Sequence, residues 1–204
     1  MIIGGTDAMS APAGHAHGPY TLYDLDALPE DGRRYELADG WLTELPGDLW
    51  HDHAAGRLTD ILRQAAHQAG AEVHVAGSAR DVSTPAGIRK PDVFAVARDV
   101  ARAALEQRSR TYYGPDLLLV AEVVTPRTGS EQIDRVRKVA EYAETGIPHY
   151  WIVDLEPRPA VTMLRLAGSQ PCYRLSGKAR AGEEITVAEP FPIRFDPARL
   201  SEME

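Results

Sequence analysis

Cysteine is almost missing from this chain: Cys172 is the only one in 204 residues. A lone thiol excludes an intrachain disulfide and a cysteine-built zinc site. The N-terminal stretch MIIGGTDAMSAPAGHAHGPY has neither a basic head nor a sustained apolar core, so it does not read as a secretory signal. Both features point to the cytoplasm. Long apolar runs are missing too. None approaches the roughly 20 residues of a membrane-spanning helix, so no membrane partner is expected. Positive charge is short, with 22 basic against 30 acidic residues and a net charge of −8. A protein that coats nucleic acid non-specifically is normally basic, so any such surface here would be a local patch on an acidic body. Lysine is scarcer still, with only Lys90, Lys138 and Lys178. Also absent are a phosphate-binding G-x-x-x-x-G-K-[ST] loop, a G-x-G-x-x-G turn, an H-E-x-x-H zinc helix and a G-x-S-x-G nucleophile elbow.

What is present is globular composition, 44% hydrophobic and 25% charged, at a length that suits one domain. Residues 1–19 lack periodicity and are read as a flexible extension, although His15 and His17 could bind a metal adventitiously. Residues 20–204 are read as a single domain. A short helix or turn is expected over 20–30. Asp39-Gly40 lies between alternating runs, which predicts a hairpin with strands near 33–38 and 41–45, ended by Pro46-Gly47. Ala54, Leu58, Ile61, Leu62 and Ala65 recur at helical spacing, which predicts a helix over 50–69 stopped at Gly70. Strands are expected near 71–76, 80–83 and 91–97, with a short helix or loop at 99–110. DLLLVAEVVT at 116–125 reads as a central strand buried on both faces. A helix over 130–145 and a strand at 148–155 complete a parallel crossover. Runs near 160–166, 172–175 and 184–188 predict a β-rich end, with the tail FPIRFDPARL packed across it. The class is α/β or α+β, with a mixed central sheet flanked by helices.

Three residues stand out chemically. Glu122 interrupts the most apolar segment, where an ionised carboxylate costs several kcal/mol unless compensated. It either pairs with an arginine such as Arg89 or Arg127, or ligates a hard cation. Asp92 opens a buried strand after Pro91. Alone it is an ordinary strand-start Asp, taking a backbone hydrogen bond. Paired with Glu122 on a strand roughly 4.8 Å away, it could share one Mg²⁺, which commonly takes one or two carboxylates plus waters. Lys138 lies on the next helix, on one face with Asp134 and Tyr142. The stripe Ile133, Val136, Ala140 and Ala143 is expected to pack on the sheet. That puts Lys138 nearly opposite, in a surface Asp-Lys pair, unless the helix sits at the sheet's edge or another segment covers it. The alternative is that this face turns inward and the ammonium lies near the Asp92 and Glu122 carboxylates, held by Asp134 and Tyr142.

RYELADGWLTELPGDLWHDHAAGRL, RKPDVFAV and LLLVAEVVTPRTGSEQIDRVRKVAEYAETGIPHYWIVDL together resemble the Uma-two family, restriction-endonuclease-like proteins of the PD-(D/E)XK nuclease superfamily. The resemblance runs over about residues 20–200. It implies a restriction-endonuclease-like core and a Mg²⁺-dependent endonuclease, with Mn²⁺ as a substitute, cutting nucleic acid, DNA foremost. On that resemblance Asp92, Glu122 and the Val123 carbonyl hold the metal. The superfamily's usual lysine position is Val124 here, a departure that nominates Lys138 as the catalytic cation. Glu36 resembles the acidic residue ahead of the core, although a surface hairpin Glu reads the same way. His51 could touch phosphate or order the hairpin, or simply cap its helix. Asp154 and Tyr142 read as structural and Trp151 as core, while Arg89, Lys90 and Arg127 could contact phosphates. Cutting both strands would favour a homodimer. The alternative is the same fold without useful catalysis, acting as a nucleic-acid or protein binding module; another metal-assisted hydrolase also remains open.

Overall fold

The computed structural model describes residues 18–29, 33–45, 48–77, 80–126, 129–168 and 170–203. His15, His17, Pro46-Gly47 and Arg127 lie outside them. In chain order the elements are α1 (Leu22–Asp26), β1 (Tyr35–Ala38), β2 (Trp41–Glu44), α2 (Leu49–Gln68), β3 (Val73–Gly77), β4 (Asp81–Thr84), β5 (Gly87–Arg89) and β6 (Val93–Ala97). Then come α3 (Arg98–Glu106), β7 (Thr111–Tyr113), β8 (Leu117–Val124), α4 (Gly129–Gln132), a π-helical turn (Ile133–Arg137) and α5 (Lys138–Thr145). The chain ends with β9 (His149–Asp154), β10 (Ala160–Leu166), β11 (Tyr173–Arg180), β12 (Ile185–Val187) and β13 (Ile193–Phe195). Among the described residues no helix is long and apolar enough to cross a membrane.

The strands form a six-stranded sheet, β11-β10-β9-β8-β6-β3, a five-stranded sheet, β2-β1-β5-β4-β7, and the β12-β13 pair. Both larger sheets are mixed. β8 runs parallel to β9, joined by the expected crossover, and β4 runs parallel to β7. The Asp39-Gly40 hairpin forms because both residues adopt positive φ, 53° and 77°, as a two-residue primed turn requires. At Gly87 (φ 144°) an added Cβ would stand 2.2 Å from the Leu37 carbonyl oxygen, so glycine lets β5 close on β1. The three-residue strands β5 and β7 carry too little pattern to be read from sequence. β11 is longer than the 172–175 run, because its exposed polar residues pair with β10 along its length.

β8 is buried on both faces, and period-2 alternation sends its residues to opposite sides. Leu119, Ala121 and Val123 join a core with Leu58 and Leu62 of α2, and Phe191, Ile193 and Phe195 of the tail fill the same core. Leu117, Val120 and Val124 face Phe94, Tyr142 and Tyr150. Glu122 has the parity of this second face, which α5 covers.

The helix expected over 130–145 forms, and Ala143 of its expected stripe is buried, but the Val136 and Ala140 part is corrected. Val136 is 60% exposed and Ala140 is exposed, whereas Asp134, Lys138 and Tyr142 are buried. Within the π turn the Lys138 N–H donates to the Ile133 carbonyl, five residues back. The wider turn breaks the 3.6-residue phase that an ordinary helical wheel assumes. The inward face is tolerated because its charges find partners there.

Candidate active site

The site lies where the two large sheets meet, and register builds it. Val93 of β6 pairs with Ala121 of β8, so Asp92 enters beside Glu122. Leu37 of β1 pairs with Ile88 of β5, so Glu36 falls beside Arg89. The π turn and α5 then bring Asp134 and Lys138 over both. Glu36, Arg89, Asp92, Glu122, Asp134 and Lys138 are all buried, none above 6% exposed.

Lys138 is the hub. Its Nζ lies 2.9 Å from Glu122 Oε1, 3.0 Å from Glu36 Oε1 and 3.1 Å from Asp134 Oδ1. The Tyr142 hydroxyl donates to the same Glu122 oxygen at 2.8 Å. Burial opposes the ammonium, but Glu122 and Glu36, together with Tyr142 and Asp134, hold its pKa well above the ordinary value. Glu122 moves the other way from a usual paired carboxylate. Burial pushes it up to about 8, Lys138 only partly offsets this, and Asp134, Asp92 and Glu36 add to the rise. Burial also raises Asp134 against the pull of Lys138. The cluster therefore has more carboxylate than its one ammonium compensates.

Glu36 is no surface hairpin residue. Its Oε1 accepts the Lys90 N–H at 2.9 Å, and its Oε2 accepts Arg89 Nη1 at 3.0 Å. Burial alone would raise its pKa; Lys138, Arg89 and the Lys90 amide outweigh that and hold it below the ordinary value. Arg89 turns its other face to Glu141, donating from Nε at 3.0 Å, and Thr84 Oγ1 donates to Glu141 at 2.6 Å. Of the alternatives open for Glu122, pairing with Arg89 does not occur: register puts Arg89 beside β1, where Glu36 and Glu141 claim it.

Asp92 accepts from His51 Nε2 at 3.1 Å and from the Val123 N–H at 2.8 Å, both on Oδ2. Its own N–H reaches Glu122 Oε2 at 3.4 Å. Asp92 Oδ1 takes no hydrogen bond from any described residue. His51 opens α2, where its N–H caps onto Asp48, and its ring meets Asp92 and Asp52. Burial disfavours its charged form, but Asp92 and then Asp52 raise its pKa to about 9.

These groups border a recess of about 30 Å³, lined also by Arg34, Thr43 and Leu45. It has room for one or two water-sized species. Among the described residues no three His, Cys, Asp or Glu side chains are arranged to hold a metal by themselves. The carboxylates of Asp92 and Glu122 both line this recess, an oxygen-only pair that suits an ion keeping several waters. Of the expected residues, Glu36, Glu122 and Lys138 make direct contact. Asp92 joins through Glu122, and Val123 touches Asp92 through its N–H. Asp154 pairs with Arg135, and Trp151 lies in the core. Asp134 holds the Lys138 ammonium, the inward one of its two sequence readings, while Glu141 was left out. The one available signal was Glu141 itself, three residues beyond Lys138 on the same side of the helix.

The family described as "Putative restriction endonuclease", Uma2, matches residues 22–200. The fold is similar to the crystal structure of a "putative nuclease belonging to DUF820" from Anabaena variabilis ATCC 29413, with a TM-score of 0.63 and 15% identity over 89% of this chain and 97% of that one. No curated protein matches the chain. With the profile covering most of its length and the fold shared, the chain belongs to the Uma2 family of restriction-endonuclease-like proteins.

Proposed function

We propose that the protein is a cytoplasmic, Mg²⁺-dependent endonuclease that hydrolyses nucleic-acid phosphodiester bonds, with DNA as the substrate and Mn²⁺ as a substitute ion. The observation that carries this reading is the meeting of Asp92 and Glu122 with the Lys138 ammonium on one small recess. Asp92 and Glu122 would hold the ion, with the Val123 carbonyl as a further oxygen. Bound there, the ion supplies Lewis acidity toward a phosphate oxygen and a lower pKa for its water. The chain's own groups do the rest. His51 and the Val123 amide fix the Asp92 carboxylate by its Oδ2, leaving the other oxygen for the recess. Lys138 holds Glu122 in place and sets positive charge where phosphate would gain negative charge. Glu36 braces Lys138, and Arg89 braces Glu36. Family membership supports the reaction class. One recess per chain makes a homodimer the arrangement that cuts both strands.

One observation favours a second reading, that of a binding module without useful catalysis: three carboxylates already claim the Lys138 ammonium. Supercoiled plasmid separates the two. Purified protein should relax or linearise it with Mg²⁺ or Mn²⁺ and not with EDTA, and Asp92→Ala and Glu122→Ala should stop the reaction. Intact plasmid under all conditions, or undiminished cutting by both variants, would overturn the nuclease reading.

A further inference from the structure

We propose that Lys138 is a built-in counter-cation filling a second cation place formed by Glu36, Glu122 and Asp134, so that the chain takes one divalent ion rather than two. This rests on the metal-dependent reading above. Two-ion nucleases hold their ions roughly 3.5–4 Å apart, with oxygens shared between them. Glu122 has the disposition of such a sharing carboxylate. Its Oε1 lies on the Lys138 ammonium at 2.9 Å, and its Oε2 faces the Asp92 backbone at 3.4 Å. On the Asp92 side, Oδ1 and Glu122 Oε2 are the oxygens left for an ion. On the other side a cation is already seated. Nζ has three protons and three carboxylates around it, each from a different element: β1, β8 and the π turn. Lys138 is 2% exposed, and among the described residues its ammonium's ion pairs are with Glu36, Glu122 and Asp134.

A second divalent ion would need the volume the ammonium holds, between the same three carboxylates. With the ammonium seated these carboxylates are not arranged to hold a metal. Without Lys138, oxygens that stand about 3 Å from Nζ would have to close by roughly half an ångström to reach Ca²⁺ bonding distance, 2.3–2.6 Å.

The test is ion stoichiometry, which needs no turnover. Ca²⁺ is titrated calorimetrically into the full chain, into Lys138→Ala and Lys138→Met, and into Asp134→Asn. Wild type should take one ion, either Lys138 variant that melts cooperatively should take two, and Lys138→Ala/Asp134→Asn should return to one. Asp134→Asn alone should keep the single ion, because Asp134 serves the lysine. One ion in both wild type and a folded Lys138 variant overturns this inference and leaves the one-ion nuclease reading standing. Two ions in wild type, or loss of the wild-type ion in Asp134→Asn, also overturns it. No ion in wild type removes the metal-dependent reading itself. The Asp134→Asn arm decides even if neither Lys138 variant folds.

Discussion

Helices α2 and α5 cover the two faces of the same strand, β8, and are held there by different means. α2 docks by apolar burial: Leu58 and Leu62 are fully buried against Leu119, Ala121 and Val123. This attraction is non-directional and scales with area, roughly 25 cal/mol per Å². α5 also packs Tyr142 and Val139 against an apolar cluster, but adds Lys138, Glu141 and the Tyr142 hydroxyl, which reach Glu122, Glu36 and Arg89. Such contacts cost desolvation and depend on geometry, so they add little net stability while fixing atoms closely. The apolar face holds the fold, and the polar face holds the candidate site.

That contrast can be broken most severely at Arg89. Arg89→Ala leaves Glu36 and Glu141 buried without their shared cation and should cost about 3–5 kcal/mol in denaturant unfolding. A loss below about 1 kcal/mol would mean that water replaces the guanidinium and that the network is soft. On the apolar face, Leu58→Ala should cost about 3 kcal/mol by creating a cavity. Cleavage per folded molecule should barely change; a large selective loss of activity would show that the apolar body of α2, and not only His51 at its N-terminal end, sets the site.

Acidity probes the charged groups of the site, His51 of α2 and Glu122 of β8. His51 has its folded pKa raised from 6.5 to about 9, so its contribution is fully present below pH 6.5 and is lost as pH rises through about 9. Glu122, raised from 4.5 to about 8, likewise favours the folded state while protonated and loses that advantage as pH rises through about 8. In EDTA the melting temperature should therefore fall between pH 6.5 and 9, and a divalent cation should flatten the fall. A melting temperature that rises over this window, or is indifferent to the cation, would contradict the assignment. The smallest effect belongs to Val136→Ser. Because Val136 is exposed, the change should stay within about 0.5 kcal/mol. A cost of 2 kcal/mol in urea unfolding would restore the orientation its helical spacing suggests.

Much of this was legible beforehand. The Asp39-Gly40 turn, the α2 stripe and the two-sided burial of β8 are local patterns, fixed by residues a few positions apart. Glu122 and Asp92 stood out because carboxylates sit at or beside otherwise apolar strands. Lys138 was nominated through the resemblance, and its ammonium does reach the Glu122 carboxylate beside Asp134 and Tyr142; what the 3.6-residue wheel misassigned was the apolar stripe, with Val136 and Ala140 turned outward. The partners of Arg89 and His51 were beyond reach, since Arg89–Glu141 and His51–Asp92 join residues 52 and 41 positions apart.

The sequence by itself determined which segments become strands and helices, and which carboxylates need compensation, because backbone propensity and the cost of burying charge act locally. Only the tertiary structure decided which cation compensates which carboxylate. Ion pairing depends on distances of about 3 Å between atoms on β1, β5, β6, β8 and α5, and those distances are set by sheet register and one widened helical turn.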